Sequence, residues 1–229
     1  MKPVHFRLLA LAAAAVFTVA GSATAQDKSS GVLSSLEVQQ LVKRGEPVDN
    51  ARLGAHFSAL AERYAAEAKK HLAMAQSYGG NPRGNLGTGM SAHCKQLANL
   101  NTQSATTARE LVAYHEKLAA GKPAEPPRDS ARLQGGGGAP EPTQKELSAL
   151  AAKASTPADH HALEEYFQTL AKRYTTAAND YMTLAQTYRG TRIAQAATIH
   201  DRLAGLARDS AKEATTAADM HKQLANIAK

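Results

Sequence analysis

The sequence contains no tryptophan, four phenylalanines and one cysteine among its 229 residues. A single cysteine cannot form a disulfide within the chain, so internal covalent cross-links are excluded. The C-x-x-C-H pattern that attaches c-type haem is also missing. Few aromatic residues and abundant alanine favour a fold of alanine-packed helices over one with a large β core.

Long apolar runs are scarce, and the clearest one, Leu8 to Ala20, lies close to the N-terminus. Lys2 and Arg7 precede it, and the A-x-A pattern ending at Ala25 follows it. These are the features of a cleavable secretory signal peptide, and the run is too short for a membrane anchor. Residues 1–25 are therefore predicted to be removed, which leaves a periplasmic or secreted mature chain with no membrane span.

The net positive charge of the chain is small once the signal peptide is removed. The signal carries two of the 27 basic residues and none of the 20 acidic ones, which leaves the mature chain at +5. This charge favours contact with an anionic envelope component, but it is too weak to indicate nucleic-acid binding. Nucleic acid is also absent from the expected compartment.

The main positive feature is an internal repeat in two segments. Residues 53–78 match 163–188 without a gap at an offset of 110, and residues 97–118 match 203–224 at an offset of 106. The connection between the two segments is thus four residues shorter in the second copy, as expected if it is a loop. The repeat predicts two long helices joined by a turn, present twice.

Apolar residues in these segments recur at alternating spacings of four and three, the pattern of antiparallel helices that pack at a shallow angle. In the second copy the series is Leu163, Phe167, Leu170, Tyr174, Ala177, Tyr181, Leu184 and Tyr188. Short amphipathic segments at 33–43 and 145–153 precede the two hairpins, and each opens with a capping-box pattern. Thr156, followed by Pro157 and Asp159, gives a third helix start.

The predicted fold is all-α, with tandem antiparallel helical hairpins that form one four-helix bundle with two short accessory helices. The first repeat spans 26–120 and the second 143–229. Between them, 121–142 holds five prolines and four consecutive glycines, which predicts a flexible linker. The alternative is that the hairpins stay apart and pair with another chain, as in a swapped homodimer.

The segment from Gly84 to Cys94, GNLGTGMSAHC, nearly spells a phosphate-binding loop, with Met90 in place of the lysine. Such a loop needs a strand before it and the lysine to reach the phosphates. Here a helix is predicted before it, so we interpret the glycines as the turn of the first hairpin.

Four residues near this turn form a candidate metal site: His71, His93, Cys94 and Glu67. In an antiparallel pair, a residue late in one helix faces one early in the next, so His71 and His93 are expected within a turn or two of each other. Imidazole and thiolate ligands suit zinc or copper. The alternative is a polar layer in the helix seam, with the cysteine as a small buried apolar residue.

The remaining polar candidates are predicted to be structural. His115 and His221 occupy equivalent repeat positions and are expected to pack or to cap helices, and the seam tyrosines are expected to be core residues with hydrated hydroxyls. Side chains predicted to lie at the surface are His56, His160, His161, Arg63 and Arg173.

The sequence does not place a nucleophile, a base and an orienting acid in one location, so an enzyme is not expected. The sequence favours a non-enzymatic exported bundle that binds an envelope partner through its surface or a groove between the hairpins. The alternative is a periplasmic zinc- or copper-binding protein, and a non-covalent haem or other cofactor in the bundle core ranks third.

Overall fold

The computed structural model describes residues 31–81, 89–120 and 141–228. Six helices form in these ranges, and no strand does. They are α1 (Ser35–Arg44), α2 (Pro47–Gly79), α3 (Met90–Ala119), α4 (Gln144–Lys153), α5 (Pro157–Arg189) and α6 (Ala196–Ile227). The signal peptide, most of the linker and residues 82–88 of the glycine-rich turn lie outside the described residues, so those assignments stay predictions.

Three helices begin with a capping box, in which a hydroxyl and a carboxylate three residues later each accept a hydrogen bond from the other's backbone N–H. The pairs are Ser34 with Glu37, Thr143 with Glu146 and Thr156 with Asp159. The start of α2 differs, because no side chain caps it and Asp49 accepts instead from Arg44 at 2.6 Å. The predicted helix starts are otherwise confirmed.

The four long helices form one bundle within the chain. Helix α2 packs along α3, α5 packs along α6, and the two hairpins join mainly through α3 and α6. Side chains separated by more than a hundred residues meet in the core, as Tyr78 of α2 and His221 of α6 do. The prediction of an all-α bundle of two hairpins is confirmed.

Helices α2 and α5 lie on the side of the bundle where the short helices pack. Helix α1 contacts both α2 and α5, and α4 also contacts both. The two short helices sit at opposite ends, because α1 precedes the start of α2 whereas α4 lies beside the end of α2, where Asn81 donates to the Ala151 and Ala154 carbonyls. A groove therefore remains between α2 and α5, partly covered by α1.

None of the helices in the described ranges is long and apolar enough to cross a membrane.

Candidate functional site

The groove between α2 and α5 contains a cavity of about 320 Å³. Both repeats contribute to its walls, and the segment leading into α1 closes one side. Its lining combines apolar side chains with tyrosines and charged groups: Val32, Leu33, Ser35, Val38, His56, Leu60, Arg63, Tyr64, Glu67, Arg173, Tyr174, Thr176, Ala177, Asp180, Tyr181 and Leu184. This mixture is typical of small-molecule sites, in which a few polar groups orient an otherwise apolar ligand.

Tyrosine hydroxyls in the groove wall hydrogen bond to other protein groups. The hydroxyls of Tyr64 and Tyr181 lie 2.6 Å apart across the gap between α2 and α5. The hydroxyl of Tyr174 exchanges hydrogen bonds of 2.7 and 3.0 Å with the side-chain amide of Asn101. Burial raises the pKa of all three tyrosines. They are core residues, as predicted, but these hydroxyls hydrogen bond to protein groups, whereas the sequence predicted that they bond to water.

Glu67 and Arg173 belong to a network of four charges at the groove. Arg173 lies 3.2 Å from Glu67 and 2.8 Å from Glu141, and Lys70 lies 3.2 and 3.1 Å from the same two carboxylates. Two cations thus balance two anions. The prediction that Arg173 is a solvated flank is wrong, because its side chain is only 29% exposed and its guanidinium bridges α5 to α2.

Arg63 and Asp180 are the other two charged residues of the groove. Arg63 lies on α2 and Asp180 on α5, and both side chains are exposed at its mouth. Within the described part of the chain neither forms an ion pair. Partial burial raises the pKa of Asp180.

The four predicted metal ligands do not converge. His71 Nε2 lies 3.9 Å from Glu67 Oε2, and its ring faces Tyr166 of α5. His93 instead contacts the carboxylate of Glu213 on α6. The two histidines therefore face different helices, although both lie near the same hairpin turn.

Cys94 is fully buried, and burial raises the pKa of its thiol to about 12. A thiol must lose its proton to bind a metal, so this environment opposes coordination. Across residues 31–81, 89–120 and 141–228, no three His, Cys, Asp or Glu side chains come together as metal ligands. The zinc or copper hypothesis remains a prediction, without a ligand set in the described residues to support it.

Four buried polar atoms near His71 find no hydrogen-bond partner among the described residues. They are Glu67 Oε2, the Tyr166 hydroxyl and both ring nitrogens of His71. An unpartnered buried polar group destabilises a fold by about 1–3 kcal/mol. Burial lowers the pKa of His71 to about 3, so its ring is neutral near pH 7. The polar layer predicted as the alternative to a metal site is present here, but it is incompletely hydrogen-bonded.

A second polar arrangement, which the sequence reading did not foresee, links the two repeats. His221 Nε2 lies 2.8 Å from the hydroxyl of Tyr78, and His115 Nε2 lies 2.9 Å from that of Tyr188. Each pair joins a tyrosine of one repeat to a histidine of the other. The signal was the recurrence of a tyrosine and a histidine at equivalent positions in both copies.

Each Tyr–His pair has a third member at another equivalent position. His115 Nδ1 contacts Asn50 at 2.9 Å, and His221 Nδ1 contacts His160 at 3.2 Å. His160 and His56 are 2% and 5% exposed, so the prediction that they lie at the surface is wrong. His161 is exposed, as predicted. Their position near a helix start did not reveal that these two histidine side chains are buried in the core.

No protein-family model, curated protein or solved structure matches the chain.

Proposed function

We propose that the mature chain is a non-enzymatic exported binding protein that takes a small, partly apolar ligand into the groove between α2 and α5. The observation that carries this proposal is the cavity itself, about 320 Å³ in volume and walled by both hairpins. Small-molecule sites have volumes of about 300–1,000 Å³, so this space suits a compact molecule.

The arrangement of the groove favours binding over catalysis. Tyr64 and Tyr181 bond to each other, and burial raises the pKa of both hydroxyls, which makes them poor nucleophiles near neutral pH. His56 uses its Nδ1 to accept from the Leu33 N–H at 2.9 Å, and burial lowers its pKa to about 4. A histidine with so low a pKa is a weak base at pH 7.

Export follows from the signal-peptide features of residues 1–25. We expect the chain isolated from a bacterial periplasm to begin at Gln26, which intact-mass measurement determines. A chain that retains Met1 after expression with a functional secretion system would contradict export. Contact with an envelope protein or an anionic envelope component stays a prediction.

The groove is tested with a fluorescent reporter, which is practical because the chain has no natural tryptophan. Thr176 is exposed and lines the cavity, whereas its neighbour Thr175 is exposed and does not line it. We expect hexanol to change the tryptophan emission of Thr176→Trp in a saturable way and to leave that of Thr175→Trp unchanged.

Filling the cavity is the second arm of this test. Ala177 lines the groove, so Ala177→Phe in the Thr176→Trp background is expected to abolish the response to hexanol. The matched control is Ala66→Phe, at an exposed position of α2, which is expected to retain it. Equal responses in all variants, or none in Thr176→Trp, would refute the groove as a binding site.

A further inference from the structure

The charged residues that line the groove divide into those that form an ion pair within the described part of the chain and those that do not. Glu67 and Arg173 neutralise each other at 3.2 Å, with Lys70 and Glu141 completing a balanced network. His56 is neutral near pH 7, because burial lowers its pKa to about 4. The charges left to act on a ligand are therefore one cation and one anion.

These two charges are placed on opposite walls. Arg63 immediately precedes Tyr64 on α2, and Asp180 immediately precedes Tyr181 on α5. The hydroxyls of these two tyrosines lie 2.6 Å apart, and Arg63 and Asp180 line the same cavity as the tyrosines do. Both charges act on the pKa of Tyr181, in opposite directions. The cation and the anion form no ion pair with each other or with any other residue that the structure describes, so both can pair with a ligand.

Apolar side chains supply the rest of the lining. Leu33 and Val38 contribute from the α1 side, Leu60 from α2 and Leu184 from α5. A guest that fills this space removes apolar surface from water, worth about 25 cal/mol per Å² before the cost of association. The groove thus offers an apolar contact surface with one cation and one anion at its mouth.

We propose that the groove binds a small zwitterion with an apolar side chain, of which a short apolar peptide is the simplest form. Its carboxylate pairs with Arg63, its ammonium pairs with Asp180, and its side chains contact the leucines of the groove. This inference rests on the proposed function of the groove and adds the chemical class of its ligand.

A guest with one charge fits less well. An anionic ligand would pair with Arg63 while removing water from Asp180. A cationic ligand would pair with Asp180 while removing water from Arg63. A charge that loses water without gaining a partner disfavours the complex. Asp180 already lies in surroundings that raise its pKa, so further loss of water without an ammonium partner would be unfavourable. A zwitterion compensates both charges at once.

The test compares three ligands by isothermal titration calorimetry with the mature protein. Leucyl-leucine carries both charges, N-acetyl-leucyl-leucine only the carboxylate, and leucyl-leucinamide only the ammonium. We expect each capped form to bind about five- to tenfold more weakly than the free dipeptide, the range for a partly desolvated charge pair.

Two variants assign the charges to residues. Arg63→Gln is expected to bind leucyl-leucine and leucyl-leucinamide equally, because the carboxylate has lost its partner. Asp180→Asn is expected to bind leucyl-leucine and its N-acetyl form equally. Arg109→Gln and Asp209→Asn remove one charge each from exposed positions outside the groove, and both are expected to keep the wild-type order of affinities.

Equal binding of all three ligands by the wild-type protein would overturn the zwitterion proposal, as would the same order of affinities in Arg63→Gln and Asp180→Asn. If leucyl-leucine fails to bind while hexanol still changes the emission of Thr176→Trp, the zwitterion proposal is also overturned. The groove would then remain supported as a binding site. If neither leucyl-leucine nor hexanol binds, both the proposed binding site and the zwitterion proposal are refuted.

Discussion

Mild acid is predicted to unfold this protein, because burial strongly lowers the pKa of five of its buried histidines. Burial lowers their pKa values to about 3 or 4, against an ordinary 6.5, at His56, His71, His115, His200 and His221. Below pH 6.5 the unfolded chain binds protons that the folded chain cannot. The stabilisation is therefore complete above about pH 6.5 and is lost as the pH falls towards the folded-state values.

The size of the effect follows from linkage. Between pH 7 and pH 5 a histidine that titrates at 6.5 when unfolded and at 4 or below when folded loses about 2 kcal/mol of stabilisation. Five that act independently lose about 9 kcal/mol, while a domain of this kind has about 5–15 kcal/mol in total. Carboxylates with ordinary pKa values near 4 contribute little in this window. We expect cooperative loss of helix between about pH 6 and pH 4.5.

Urea denaturation followed by far-UV circular dichroism at pH 7.5, 6.5 and 5.5 measures this dependence. The free energy of unfolding should fall by about 1.2 kcal/mol per pH unit for each buried histidine near pH 5.5. Replacing both His115 and His221 by asparagine should reduce the dependence of the unfolding free energy on pH by about two-fifths. This holds whatever the two substitutions do to stability at pH 7.5. His161→Asn, at an exposed position, should leave the slope unchanged. A free energy of unfolding constant within 1 kcal/mol from pH 7.5 to 5.5 would refute the reasoning.

Three further predictions concern the core. Tyr78→Phe and Tyr188→Phe should each lower the free energy of unfolding by about 1–3 kcal/mol, because each leaves a buried histidine nitrogen unpartnered. A melting temperature equal to that of the wild type in either variant would contradict this. His71→Leu should leave stability unchanged or raise it in the same melts, since neither ring nitrogen has a hydrogen-bond partner among the described residues. His115→Leu should lower stability by about 2 kcal/mol or more, because it removes two buried hydrogen bonds. A greater loss of stability from His71→Leu than from His115→Leu would be the contrary result. The Cys94 thiol should react with a disulfide reagent only in urea, because it is fully buried, and prompt reaction of the native chain would count against this.

The helices could be predicted because their signals are local or repeated. The spacing of apolar residues and the ungapped match of 53–78 with 163–188 predict the long helices of each hairpin. The capping box at Thr156 places the start of α5. These features depend on a few neighbouring residues, so they can be read without knowing where the other hairpin lies.

The groove and the polar pairs depend on how the hairpins meet, and no local pattern reveals that. The register between repeats sets Tyr78 against His221, which lies 143 residues away. Arg173 pairs with Glu67 across the groove and is only partly exposed, although its position beside the seam resembles that of a solvated arginine. The metal hypothesis assumed that His71 and His93 face each other, whereas they face α5 and α6.

The most direct test of the binding proposal is a residue-resolved one. Titrating ¹⁵N-labelled mature protein with leucyl-leucine should shift amide resonances of the groove, including those of Arg63, Tyr64, Asp180 and Tyr181, and spare the outer faces of α3 and α6. Saturable shifts confined to those groove residues would support a ligand between the two hairpins. Shifts on α3 and α6 alone, or none at millimolar dipeptide, would contradict it.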